Sequence, residues 1–173
     1  MELNRDICRN ARLARDARFD GKFFIAVRTT RIFCRPVCPA RSPKEENIDY
    51  YPSAAAALQA GFRPCLRCRP ESWGTAAWDG TSTTVSRTLR LIDEGALENS
   101  SVDALAERLG IGSRHLRRLF WQHLGATPIA VAQAQRLLSA KKLIDETTLP
   151  LTTIAIASRY GSIRRFNAAF RAT

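Results

Sequence analysis

The chain of 173 residues carries 27 lysines and arginines against 16 acidic residues, a net charge of +11 and an isoelectric point of about 10.3. That length accommodates one large domain or two small ones, and that charge favours a polyanionic partner, nucleic acid before any other. No apolar run approaches the ~20 residues that span a bilayer, and the arginine-rich start has no apolar core of the secretory kind, so the expectation is a cytoplasmic, nucleoid-associated protein with no membrane contact. In such a reducing compartment five cysteines are expected as metal ligands or reactive thiols, not as a disulfide framework.

In chain order, Phe23-Phe24-Ile25-Ala26-Val27 and Ile32-Phe33 are β-type runs on either side of Arg28-Thr29-Thr30 and predict strands of a small sheet. Ser53 predicts the N-cap of a helix over 54–60, and Gly61 stands where a C-terminal glycine ends one. All five cysteines lie before residue 70, and the glycine-, serine- and threonine-bearing stretch 71–82 reads as a linker. The domains expected are therefore 1–70 and 83–173. A first domain that small buries little apolar surface and calls for a staple such as a metal.

Beyond the linker the pattern is helical. Thr83 or Thr84 is expected to cap a helix to about Glu94, with Val85, Leu89 and Ile92 on one face. Ser101 caps 102–109, Gly110-Ile111-Gly112 makes a turn, and Ser113 starts a helix whose Leu116, Leu119 and Phe120 point to the core. Thr127-Pro128 opens a long helix to about Glu146, proline suiting the first turn, and Pro150 precedes a short pair over 152–158 and 162–170. Arg114-x-x-Arg117-Arg118-x-Phe120 is echoed by Ile163-Arg164-Arg165-Phe166, so two like units flank the long helix. His115 and His123, eight apart on one helix, are expected as surface or packing residues.

Cys34-Arg-Pro-Val-Cys38 and Cys65-Leu-Arg-Cys68 are two close pairs with 26 residues between them. Tetrahedral zinc takes four sulfurs at ~2.3 Å, and two tight loops supply them; Pro36, Pro39 and Pro64 stiffen those loops. Cys8 lies outside the pattern and reads as a plain thiol. By default such a site is a closed structural staple. Four thiolates around Zn2+ nevertheless leave a net charge of about −2, which can make one sulfur nucleophilic without a general base.

The residues around the cysteines go further. Phe24-Ile-Ala-Val-Arg-Thr-Thr-Arg-Ile-Phe-Cys-Arg-Pro-Val-Cys38, then Ala40-Arg41, then Ala60-Gly-Phe-Arg-Pro-Cys-Leu-Arg-Cys68, resemble the N-terminal domain of the Ada family of bacterial adaptive-response proteins. The stretch from Thr84 to the end resembles the AraC-type double helix-turn-helix that follows it in that family. The fold implied is a small α+β zinc domain followed by an all-α AraC-type double helix-turn-helix domain, with the second unit incomplete at its C-terminus. The function implied is irreversible methyl transfer from DNA methyl phosphotriesters to one zinc-bound cysteine, coupled to methylation-activated transcription of alkylation-response genes. Cys34 matches the acceptor, with Cys38, Cys65 and Cys68 completing one Zn2+ site. Thr30, Arg41, Arg63 and Arg67 match DNA-contacting positions. Double-stranded DNA and RNA polymerase are the partners implied, for a monomer.

In the helical half, Ser113, Arg114, Arg117 and Arg118 fall on the first groove-reading helix, and Ser162, Arg164 and Arg165 on the second. Arg117 and Arg118 cannot both face the groove, so one is expected on phosphate. Arg159 stands at a turn position where the family carries glycine, and a non-glycine residue is expected there at positive φ. No Pro-Cys-His-Arg motif is present to carry methylguanine repair. Two other functions compete: a transcription regulator whose zinc is purely structural, and the targeting portion of a fused methyladenine DNA glycosylase.

Overall fold

The computed structural model describes residues 3–70 and 83–172, so the linker expected over 71–82 lies outside the described residues. The chain opens with helix α1 (Arg5–Ala14), whose start is set by Asn4, its side chain accepting the N–H groups of Asp6 and Ile7. Arg15, in the left-handed conformation, ends it. Three strands follow, β1 (Phe24–Val27), β2 (Ile32–Cys34) and β3 (Ile48–Tyr51), then the short helix α2 (Ala54–Gln59) and a two-residue strand β4 (Arg63–Pro64). The sheet order is β3-β1-β2-β4, antiparallel except for the parallel β2–β4 pair.

Alternation along the strands sorts the side chains into two faces. Phe24, Ala26 and Phe33 pack with Ala54, Ala57 and Phe62 around α2. Phe23, Ile25 and Ile48 pack with Cys8 and Ala11 of α1 on the other face. Cys34 pairs with Ile25 across the β1–β2 ladder, so the residue at the end of β2 lies on the α1 side. The expected strands and the Ser53-capped helix are all present. Sequence reading missed α1, β3 and β4.

The helical half comprises α3 (Thr83–Asp93), α4 (Val102–Arg108), α5 (Ser113–Leu124), α6 (Pro128–Glu146), α7 (Leu151–Ala157) and α8 (Ile163–Arg171). Ser101, Thr127 and Ser162 accept N–H groups from Ala104, Ala130 and Arg165, so three of these helix starts are capped by hydroxyls. Val85, Leu89, Ile92, Leu116, Phe120 and Leu124 share one core. A smaller core joins Ala140 of α6 to Ile154, Ala155 and Phe166. The second unit is thus packed against α6, with Tyr160 and Phe166 in edge contact at 5.3 Å. Gly110 (φ 70) and Arg159 (φ 61) occupy equivalent turns, and Arg159 is the non-glycine at positive φ that the sequence led us to expect.

The two halves touch through α2. Ala55 belongs to the core of the helical half, with Leu58 packed against it. The fully buried Ser53 hydroxyl accepts the Ala56 N–H at 3.0 Å as the α2 cap and donates to the Leu124 carbonyl at 2.6 Å, at the end of α5.

Candidate metal centre and nucleic-acid interface

The cysteines are delivered by two short strands and the turns after them. Cys34 closes β2, and the Cys38 N–H returns to the Arg35 carbonyl at 3.1 Å, making the first pair a tight turn. Cys65 follows β4 directly; its N–H donates to the Phe33 carbonyl at 3.0 Å, which fixes it beside Cys34. The Arg69 N–H on the Cys65 carbonyl, at 3.2 Å, winds the second pair. All four Sγ atoms lie within 4.8 Å of one another. Ligands at ~2.3 Å from a tetrahedral ion are about 3.8 Å apart, so the four side chains fit zinc with small adjustments.

Charge makes the same case. With only protons to share, these sulfurs conflict: hydrogen bonding to Cys38 and Cys68, and then burial, pushes the Cys34 thiol far above its ordinary value. The same contacts, with Cys34 first and Cys68 second, hold Cys38 down to about 2. A dication removes the need for shared protons and lets all four ionise. The centre is a one-zinc, four-cysteine site.

The four sulfurs are not equivalent. Cys68 Sγ accepts the Arg35 N–H at 3.4 Å, Cys65 Sγ the Arg67 N–H at 3.4 Å, and Cys38 the Ala40 N–H. Among the described residues no backbone N–H is directed at Cys34. Cys65 and Cys68 are buried, whereas Cys34 and Cys38 are partly open. The Arg35 side chain does not face the open side. It is clamped by both oxygens of buried Asp20 and by the Cys68 carbonyl, bracing the centre from behind.

In front lies a cavity of about 630 Å3. Cys34, Cys38 and Cys65 line it, as do Thr30, Arg41, Arg63 and Arg67, so the structure brings together all four of the positions matched to DNA contacts. All four are exposed. One wall was not foreseen: Arg12, Leu13 and Ala14 of α1 with Arg15, which ends it. Their signal was available in Asn4 as a cap and in the helical spacing of Cys8, Ala11 and Arg12, the buried positions of α1. Buried Arg12 anchors that wall through Glu45 at 2.9 Å and a hydrogen bond to Ser42. Cys8, the plain thiol of the sequence reading, is buried on the face of α1 that packs against the sheet.

On α5 the arginines differ in freedom. Arg117 is 3.6 Å from Asp103 and donates to Ser113 at 3.5 Å, and Arg118 bonds the exposed His115 ring at 3.0 Å. Arg114 is exposed and has no partner among the described residues. On α8, Ser162 is consumed as the cap and Arg164 and Arg165 are exposed. Arg159 reaches back to Glu98 at 3.0 Å, tying the second unit to the loop before α4.

Residues 7–71 match the family described as the metal binding domain of Ada, and residues 105–173 match a helix-turn-helix domain. The first domain belongs to the Ada metal-binding family. Across 161 residues it is 46% identical to a probable bifunctional transcriptional activator/DNA repair enzyme AlkA of Mycobacterium tuberculosis, covering 92% of this chain and 32% of that protein. It is 44% identical over 124 residues to the bifunctional transcriptional activator/DNA repair enzyme Ada of Escherichia coli, covering 72% and 34%. The chain thus spans about a third of the length of these curated relatives. A crystal structure of a methylated N-Ada/DNA complex is 40% identical and covers 78% of this chain and 98% of its own, with a TM-score of 0.41. No described helix is long and apolar enough to cross a membrane.

Proposed function

We propose that this chain repairs methyl phosphotriesters in DNA by accepting the methyl group on Cys34, once and irreversibly, and that the methylated form is a stronger DNA-binding transcription activator. The observation carrying this reading is the asymmetry of the centre: Cys34 lines the cavity and is the ligand toward which no backbone N–H is directed. Backbone N–H donors withdraw electron density from sulfur, so among the four zinc ligands the sulfur without such a donor is the best nucleophile. Zinc, when bound, keeps the Cys34 sulfur deprotonated at neutral pH. Thr30, Arg41, Arg63 and Arg67 hold the DNA backbone with the esterified phosphate toward Cys34. The Cys34 sulfur forms an S–C bond to the methyl carbon as the C–O bond breaks. The electron pair leaves with a phosphate oxygen and regenerates the ordinary charged phosphodiester. No proton moves, which agrees with the described residues lining the cavity, among which there is no histidine or carboxylate.

The thioether product is neutral, so the centre changes from about −2 to about −1 and repels the DNA backbone less. On this reading Arg114 meets a base edge, with Ser113, Arg117 and Arg118 on nearby phosphate or base atoms, and Ser162, Arg164 and Arg165 serve the second unit. Two such units in one chain supply what a dimer supplies elsewhere, which supports action on double-stranded DNA as a monomer. An activator of this kind works beside RNA polymerase on the nucleoid, in the cytoplasm. Incubation with duplex bearing a methyl phosphotriester should add one methyl, ~14 Da, to the Cys34 peptide. An unchanged mass with zinc in place would sink the proposal.

A further inference from the structure

Arginines bind any phosphate, and DNA offers vastly more ordinary phosphates than esterified ones. The basic rim of the cavity therefore does not explain selection of damage. Its remaining lining does. Leu66 is 66% exposed and Leu13 56% exposed, and both face the cavity that holds Cys34. Ile32 and Val27 of the sheet continue the apolar surface between the cations. Two large apolar side chains left in water on one concavity form a patch of the kind that marks a binding site.

Neither leucine can withdraw. Leu66 sits between two zinc ligands, and its backbone is pinned by the Arg67 N–H on Cys65 Sγ and the Arg69 N–H on the Cys65 carbonyl. Leu13 rides on α1 beside Arg12, whose buried guanidinium is locked to Glu45.

We propose that Leu66 and Leu13 are the specificity element of the site, an apolar collar that admits an uncharged alkylated phosphate to Cys34 and refuses a charged one. This rests on the methyl-transfer reading above. An ordinary phosphodiester must shed its tightly held water against these leucines while facing a negative sulfur centre, a desolvation cost that an esterified phosphate does not carry. An esterified phosphate has no charge to desolvate and presents a methyl group to the same surface. Cations hold the backbone; the collar chooses the phosphate.

The test measures methyl transfer to Cys34, read by mass, from a duplex with one methyl phosphotriester as unmodified duplex is added in competition. Leu66→Ser and, on a separate element, Leu13→Ser should each be half-inhibited at about three- to tenfold less competitor than the parent chain. Leu66→Met, which keeps the apolar surface, should stay near the parent value. Zinc content is measured for every variant, and Leu13→Ser leaves the chelate loop untouched. If both serine variants bind one zinc and tolerate as much competitor as the parent, the collar is overturned. If the parent chain itself takes up no methyl, the methyl-transfer reading fails, and the collar falls with it.

Discussion

Ser53→Ala tests how the two halves are joined. The hydroxyl does two jobs at a fully buried position: it caps α2 through the Ala56 N–H, and it satisfies the Leu124 carbonyl at the end of α5. Loss of a serine cap costs about 1 kcal/mol, and a buried carbonyl left without its donor costs a further 1–3 kcal/mol. The expected destabilisation is therefore about 2–4 kcal/mol, and at ~2–4 °C per kcal/mol for a chain of this size the melting temperature should fall by about 5–15 °C. Denaturant unfolding of the zinc-loaded chain, followed both by far-ultraviolet circular dichroism and by zinc release to a colorimetric indicator, measures it. Because the bond spans both halves, the two signals should move to lower denaturant together. A loss below about 1 kcal/mol, or helix melting that shifts while zinc release stays put, would refute the reasoning.

Gly125→Ala presses on the same seat. Its φ is +60°, and a Cβ there would lie 2.9 Å from Pro52 Cγ, so a loss of about 1–3 kcal/mol is expected in the same unfolding experiment. Chelation of zinc should melt the sheet half, whose clusters around α2 and α1 are small, while much of the helical signal survives; a native spectrum in the zinc-free chain would contradict the staple role. Cys8 should resist iodoacetamide at pH 8 under conditions that label the unfolded chain. Burial first and Glu45 second raise its thiol pKa, so its contribution to stability is full below the ordinary thiol value and declines as the pH rises past it. Peptide mass mapping reads the outcome, and rapid labelling of Cys8 in the folded chain would oppose it.

What the sequence made legible was local. The caps at Ser53, Ser101 and Thr127 each act within three residues, and the turn at Gly110 and the strain at Arg159 are decided by single residues. The cysteine pairs were legible because chelation imposes its own spacing. What escaped was set by distant partners. β4 is two residues long and exists only because the Arg63 N–H donates to the Arg31 carbonyl and the Cys65 N–H to the Phe33 carbonyl. α1 hides its buried face behind Arg12, a residue type that sequence patterns assign to solvent, because the Glu45 that neutralises it lies 33 residues away. The collar escaped for a related reason: Leu13 and Leu66 look unremarkable singly, and only the fold sets them on one cavity.

On the proposed function, the route from Cys34 to α5 bears on how a methyl group there would act as a switch. Cys34 lies on β2, which is laddered to β1 and through it to β3; α2 follows β3, and its cap residue Ser53 holds the end of α5. Each link is a backbone ladder, a chain connection or a buried hydrogen bond. A switch through movement would need a bistable element along this path. A switch through charge needs only that the centre and α5 be held together while both face DNA. On the proposed function, removing one negative charge at Cys34 then strengthens binding with the scaffold unchanged, and Arg114 and its neighbours read the same bases before and after repair.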